Sequence, residues 1–187
     1  MSVLKSLLAR IKRFRQDTAG NGTIEFCLFM PILFWAYGAS YVFFDAYRQS
    51  AMNLKAAYTV GDLISRETQA ITPAYIDSLY NITKLLTRTD TPMSMRITVI
   101  RWDEEDDIYY LDWSQVRGDV SAMTQAQVAD IKPKLPVMPD EERVILVETW
   151  NTWNGVMRTG LGTQVLDNFV FTRPRFAPQV IFEGGDA

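Results

Sequence analysis

The sequence of 187 residues contains no histidine and a single cysteine, Cys27. One cysteine cannot form a disulfide within the chain, and without histidine the usual His and Cys zinc sites cannot be assembled. Histidine is also the commonest general base near neutral pH, so acid–base chemistry would fall to Asp, Glu, Lys or Tyr. No phosphate-binding glycine loop, nucleophile elbow or nucleotide fingerprint is present. We therefore expect no enzyme, no catalytic residue, no cofactor, no metal site and no nucleic-acid partner.

Charge is absent from Phe26 to Phe44, a run of 19 residues. At about 1.5 Å per residue this run forms about 28 Å of helix, close to the hydrocarbon thickness of about 30 Å in a bilayer. Asp45 and Arg48 then mark the exit. We predict one transmembrane helix over residues 21–46. A buried helix of a globular protein and a cleaved secretory signal peptide are the alternatives.

Basic residues are concentrated before this run. Five of them against Asp17 give residues 1–20 a net charge of +4, which leaves −7 for the remainder of a chain whose net charge is −3. The positive-inside bias places the N-terminus in the cytoplasm and residues 47–187 outside the cytoplasmic (inner) membrane, as a single-pass protein. Apolar residues recur at helical spacing in this leader, so it either lies on the anionic inner leaflet as a helix or is an irregular basic flank.

A carboxylate, Glu25, stands directly before the apolar run. Such a charge at the edge of the hydrocarbon is costly unless it reaches headgroups or a cation, although a helix N-terminus favours it modestly. The stretch Gly20-Asn21-Gly22-Thr23-Ile24-Glu25-Phe26 follows the basic leader and opens the apolar helix. This order of features resembles the processing site of type IV pilins.

In that family the prepilin peptidase cuts after the glycine, and glutamate is the fifth mature residue. A cut after Gly20 makes Glu25 fifth, whereas a cut after Gly22 makes it third, so the register selects Gly20. Phe26 after the glutamate, the leader of 20 residues and the large outer domain rich in Trp and Tyr are most similar to the TadE/TadF-like minor pseudopilins of tight-adherence (Flp, type IVc) pilus systems.

The resemblance implies a minor pseudopilin that takes part in initiation, priming or capping of a Tad/Flp-type pilus. Its partners would be the prepilin peptidase, other pilins and pseudopilins, the inner-membrane assembly platform and membrane lipid. Cleavage would create an ammonium group at Asn21 that pairs with Glu25 of an adjacent subunit and specifies the register between packed helices. Pro31 and Gly38 are the residues we expect at helix packing, and Pro31 is expected to kink or locally melt the helix.

Two other functions remain open from the residues alone. The first is an uncleaved single-pass membrane protein whose extracytoplasmic domain binds a ligand or scaffolds an envelope complex. The second is a membrane-tethered enzyme that relies on carboxylates such as Glu148, which would require a deep pocket joining two acids.

In the outer domain, residues 46–67 are expected to extend the transmembrane helix, weakened at Gly61. A second helix is expected over residues 73–87, capped by Thr72, and a short one over residues 125–131. The apolar face predicted for the second helix consists of Tyr75, Leu79, Ile82, Leu85 and Leu86.

Strands are expected over residues 95–102 and 108–113 as a hairpin, then over 143–153, 169–172 and 179–182. The five acids at 103–107 between the first two strands indicate a solvated turn, with a divalent-cation loop as the alternative. Trp102, Trp113, Trp150 and Trp153 pack in the core or form an exposed protein-binding patch. The predicted fold is α+β and pilin-like: a long N-terminal helix whose soluble half packs on an antiparallel sheet.

Overall fold

The computed structural model describes residues 2–16, 21–88, 91–157 and 160–184. The chain divides into two compact units, residues 1–43 and 44–187. Helix α1, Ser2–Gln16, lies in the basic leader, which is therefore helical in its described part. Helix α2, Asn21–Ser65, begins in the first unit and ends in the second, and it is long and apolar enough to cross a membrane.

The second unit is built on a four-stranded antiparallel sheet. Strands β1 (Met93–Asp103), β2 (Ile108–Arg117), β3 (Arg143–Trp153) and β4 (Gln164–Thr172) lie in the order β2-β1-β3-β4. Two hairpins therefore meet at the central β1–β3 pair, in which Ile97 lies opposite Val147. The chain has the predicted α+β class, with a long N-terminal apolar helix followed by an antiparallel sheet.

One face of the sheet is covered by helices. The second half of α2 and helix α3, Pro73–Thr87, form a layer over β1, β3 and β4. The fully buried side chains of this core are mostly β-branched or small, as close helix–sheet packing requires. They include Ala57, Val60, Ile64, Ile76, Leu79, Met95, Ile97, Val99, Ile145 and Val147.

The helix–sheet approach is closest at Gly61. A Cβ at this position would lie 3.3 Å from the Cγ2 atom of Thr172 in β4. Gly61 does not interrupt α2, which continues to Ser65. The glycine therefore lets the helix approach the sheet, and the expected weakening of the helix at this position stays a prediction.

The opposite face of the sheet is covered by the connection between β2 and β3. Helix α4, Gln125–Ile131, starts with a capping box at Thr124 and is followed by a 3₁₀ turn at Lys132–Lys134. A second core of apolar side chains lies beneath them. It is made of Ile100, Tyr109, Met123, Val128, Met138, Val144 and Leu146.

The tryptophans of the outer domain pack rather than forming an exposed patch. Trp153 is buried, and the rings of Trp102 and Tyr109 have centroids 4.5 Å apart. Trp113 lies against Phe182 with its indole N–H donating to the carbonyl of Val180 at 2.7 Å. Trp150 lies beneath the guanidinium of Arg96 at 5.3 Å.

Helix boundaries at α3, α4 and strand β3 are confirmed, but other sequence predictions were wrong. The apolar face of α3 is displaced: Ile76, Leu79, Thr83 and Thr87 are buried, whereas Ile82, Leu85 and Leu86 are exposed. The two threonines tolerate burial because each hydroxyl donates to the carbonyl four residues earlier, at 2.7 and 2.9 Å. A reading of side-chain polarity alone misses such internally satisfied groups.

The predicted strand at 179–182 is also wrong, because this segment forms only a parallel bridge between Ile71 and Phe182. The pairing stops there since Thr72 caps α3 and Pro73 has no N–H to donate. Strands β1, β2 and β4 are longer than expected. Residues 104–107 form the expected exposed turn between β1 and β2.

We expect Ile97→Ala to destabilise the outer domain by about 2–5 kcal/mol, because Ile97 is fully buried and the substitution leaves a cavity. The matched control is Ile181→Ala, at an exposed isoleucine, for which the expected change is within about 0.5 kcal/mol. Urea unfolding of the full chain in detergent, followed by tryptophan fluorescence, measures both. Equal midpoints for the two variants would contradict the assigned core.

A second prediction concerns alkaline pH. Burial, and then the hydrogen bond from its hydroxyl to Glu67 Oε1 at 2.6 Å, raise the pKa of Tyr75 well above its usual value. The stabilisation from Tyr75 is therefore complete below its unfolded pKa of about 10 and is lost as the pH rises toward the folded pKa. Tyr75→Phe should lose stability less steeply above about pH 10 than the parent chain. Tyr58→Phe, at an exposed tyrosine, is the control, and identical slopes for all three proteins would refute this role.

Candidate functional site

The predicted processing site lies at the start of α2. Gly20 falls in residues 17–20, outside the described residues, and Asn21 is the first residue of the helix. The first backbone N–H groups of a helix have no partner within it, and they carry its positive dipole end. The residue that would become the mature N-terminus is thus the first described residue of the helix.

Glu25 follows Asn21 by four residues on the same helix and is exposed. Residues four apart share a helix face, with Cβ atoms about 5–6 Å apart. A carboxylate in this position lies near the positive helix end. The next residue, Phe26, is exposed as well.

The surface of α2 from Ile24 onward has large apolar side chains without a polar face. A helix that is apolar all round lies in a protein core or in a membrane. In the described part of the first unit these side chains are exposed, so the helix has the surface of a lipid-facing or helix-packing segment. They are Ile24, Phe26, Leu28, Phe29, Ile32, Leu33, Phe34, Trp35, Tyr37, Tyr41 and Phe43.

Pro31 does not melt the helix, which is continuous from Asn21 to Ser65. Proline has no N–H, so the carbonyl of Cys27 receives no helical hydrogen bond from residue 31. Further along, the hydroxyl of Ser40 donates to the carbonyl of Ala36 at 2.9 Å, which satisfies this polar group inside the apolar run. Gly38 is half-buried within the helix.

Beyond the apolar run, three polar residues on successive turns of α2 bind the outer domain. Asp45 accepts a hydrogen bond from the indole N–H of Trp153 at 3.0 Å, and Gln49 donates to the carbonyl of Thr87 at 2.8 Å. Asn53, which is buried, accepts from the side-chain amide of Asn151 at 3.3 Å. We call Asp45, Gln49 and Asn53 the polar tether. It attaches the segment of α2 just after the apolar run to the ends of β3 and α3.

The sequence alone does not reveal this tether. The bonded residues are separated by 108, 38 and 98 positions along the chain. Each of the three residues by itself looks like an ordinary solvated side chain on the polar surface of a helix. Their spacing of four was the only local signal, since it places them on one face.

Carboxylates of the outer domain are held by nearby cations and N–H groups. Glu148, which is largely buried, forms two hydrogen bonds with the guanidinium of Arg96, at 2.7 and 2.9 Å. A cleft of about 630 Å³ beside β2 has one carboxylate, Asp112, in its wall, and Arg143 binds it at 2.8 Å. Among the described residues no group of three or more His, Cys, Asp or Glu has the arrangement of a metal site. The cleft therefore does not join two acids in the manner an acid–base pair requires.

The acidic turn is exposed, and a hydrogen bond and an ion pair join it to the rest of the domain. The backbone N–H of Asp106 donates to Asp103, and that of Glu104 donates to Asp140 at 2.9 Å. Lys132 pairs with Asp107 at 2.7 Å. The contacts of Asp103 and Asp107 occupy carboxylate oxygens of the turn.

Comparison with protein-family models, with curated proteins and with solved structures finds no match for this chain.

We expect Trp153→Phe to weaken the attachment of α2, because it leaves the carboxylate of Asp45 without its indole donor. Hydrogen bonds to charged groups contribute about 1.5–3 kcal/mol. The expected result is faster hydrogen exchange in residues 45–53 of the full chain, measured by mass spectrometry. Trp150→Phe is the control, since that ring contacts a cation and its indole makes no hydrogen bond to Asp45. Equal exchange in the two variants would mean that the bond does not hold the helix.

Proposed function

We propose that this chain is a minor pseudopilin of a Tad/Flp-type pilus system, processed by a prepilin peptidase after Gly20. The observation that carries the proposal is the order of features at the N-terminus. A basic helical leader, α1, is followed by the Gly20–Phe26 stretch, and the long apolar helix begins at Asn21. The α+β domain that follows, with the second half of the long helix packed on an antiparallel sheet, supports a pilin-like architecture.

The proposed processing separates the leader from the helix. Cleavage removes the cations of residues 1–20 and leaves an ammonium group at Asn21, at the positive end of α2. Two carboxylates are available to this ammonium group. One is Glu25 of the same chain, one helical turn away, and the other is Glu25 of a neighbouring chain. Pairing between chains gives a cation to a carboxylate that assembly would bury and fixes the axial position of one helix against the next, as buried polar pairs do in coiled coils.

The apolar surface of α2 supports assembly by helix packing. Most of its large side chains from Ile24 to Phe43 are exposed, so the same helix suits lipid before assembly and other apolar helices afterwards. The outer domain, at residues 47–187, is large for a repeated shaft subunit. We therefore assign the protein a minor role in initiation, priming or capping, at the inner membrane with its C-terminal domain extracytoplasmic.

Gly20→Val should abolish processing when the chain is produced with an active prepilin peptidase, because the residue before the cut is altered. The matched control is Gly22→Val, where a Cβ meets no atom within 4 Å and the helix has room for a side chain. Removal of the leader is read as a mobility shift on gels. Processing of the Gly20 variant, or its loss only in the Gly22 variant, would contradict the assigned register.

Glu25→Gln should leave processing intact but reduce co-isolation with sibling pilins, since it removes the charge and keeps the shape of the side chain. Asp62→Asn, a change of the same kind on the exposed surface near the end of α2, is the control. Unchanged co-isolation and unchanged piliation in the Glu25 variant would count against pairing between chains.

A second candidate function is an uncleaved membrane anchor with an extracytoplasmic ligand-binding domain. The observation in its favour is the cleft of about 630 Å³ beside β2, which has both apolar and polar walls, including Trp113 and Arg143. Such mixed clefts are typical of small-molecule sites. An intact leader in the presence of the peptidase distinguishes this function from the pseudopilin.

A further inference from the structure

A groove of about 610 Å³ lies between α2 and the end of α3. Its walls are Arg48 and Met52 from α2, and Leu85, Leu86 and Arg88 from the last turn and cap of α3. We call these five residues the arginine groove. It combines two cations with three apolar side chains, and the proposed pilin assembly does not use it.

The groove lies close to the point where α2 would leave a bilayer. Arg48 follows Phe44, the last residue of the apolar run, by four positions, which is about 6 Å along the helix axis. The headgroup region of a bilayer is about 5–7 Å thick on each side. The end of α3 is held at this level because Gln49 donates to the carbonyl of Thr87.

The cations of the groove have no acidic partner in the part of the chain that the structure describes. Among the described residues neither Arg48 nor Arg88 forms an ion pair, although eight other Arg and Lys residues do. Arg88 also caps α3 in the left-handed conformation, with φ of 50°, a position where glycine or asparagine is usual. The fold therefore holds a long cationic side chain where a small residue would serve the backbone better.

Large apolar side chains are exposed in the groove and in the adjoining segment of α2. Leu85 is 77% exposed, and Phe44 and Tyr47 on the adjoining part of α2 are each 76% exposed. Exposed leucine and aromatic residues beside arginine are typical of surfaces that lie at a membrane interface. A surface that contacts only water would not be expected to combine arginine with so many exposed apolar side chains.

The loop between β3 and β4 belongs to the same end of the domain. Strand β3 runs antiparallel to α2: Asn151 contacts Asn53, and Trp153 then contacts Asp45, two turns closer to the apolar run. The loop starts after Trp153, and in it Val156 is 81% exposed and Met157 is also exposed.

We propose that this end of the outer domain lies on the bilayer surface and that the arginine groove binds the phosphate of an anionic phospholipid. Arg48 and Arg88 bind the phosphate, while Met52, Leu85 and Leu86 contact the glycerol and upper acyl carbons. Charge complementarity and the distance from the apolar run favour lipid over an acidic protein surface. The proposal rests on α2 spanning the membrane and is independent of cleavage after Gly20.

The first test measures lipid binding to the full chain in detergent by native mass spectrometry. Phosphatidylglycerol and phosphatidylcholine are titrated separately into the parent chain and into Arg48→Gln/Arg88→Asn, in which asparagine suits the left-handed backbone at position 88. We expect about fivefold weaker phosphatidylglycerol binding for each arginine removed, or about 25-fold for both. The control Lys134→Gln/Arg175→Gln removes two cations that do not line the groove and should bind as the parent does.

The second test places a fluorescent label in nanodiscs that contain phosphatidylglycerol. In a Cys27→Ala background, a label at Leu85→Cys should be quenched by quencher-bearing lipids, whereas one at Val137→Cys should not. Val137 is 95% exposed and follows Pro136, whose carbonyl binds Tyr109 at the start of β2.

Three results would overturn the proposal. One is unchanged phosphatidylglycerol affinity in the double arginine variant. Another is a label at position 85 that only an aqueous quencher reaches, which would leave the surface for a protein partner. The third is competition by soluble glycerol phosphate as effective as that of the lipid, which would make the groove a soluble-phosphate site. None of these measurements involves the peptidase, so failure here leaves the proposed pseudopilin function untouched.

Discussion

The packing of the second half of α2 on the sheet is the interaction on which the rest of the structure depends. A single helix of 45 residues supplies both the apolar segment and one side of the main core. Ala57, Val60 and Ile64 are buried on it, and Gly61 permits the close approach to β4. Loss of this packing would expose one face of the central β1–β3 pair. The apolar segment would then be joined to the sheet only through the covalent chain.

Polar contacts fix the axial position and the rotation of α2 on the sheet. The polar tether binds α2 to the ends of β3 and α3 directly after the apolar run, where hydrophobic burial alone would allow the helix to slide or rotate. Each tether bond joins groups that are buried or half-buried, so breaking one leaves a desolvated polar group. The same bonds bring Arg48, Arg88 and the loop after Trp153 to one end of the domain, which is the basis of the proposed lipid contact.

Sequence patterns predicted the elements that depend on interactions between residues close together in the chain. The apolar run, the Thr72 cap followed by Pro73, the helix at Gln125–Ile131 and the strand at Arg143–Trp153 all have signals within a few residues. The displaced face of α3 had no such signal, because Thr83 and Thr87 become tolerable in the core only through their bonds to the helix backbone. The tether and the arginine groove join residues far apart in the chain, so only the folded structure brings them together.

The central claim is that α2 is synthesised with an N-terminal leader that a prepilin peptidase removes. The measurement that tests it most directly is the N-terminal residue of the mature protein, determined by mass spectrometry after production with and without an active prepilin peptidase. The account predicts Asn21 as the first residue only when the peptidase is present. Persistence of Met1 or Ser2 despite an active peptidase would make the protein an uncleaved anchor, and Thr23 as the first residue would show that the register at Gly20 is wrong.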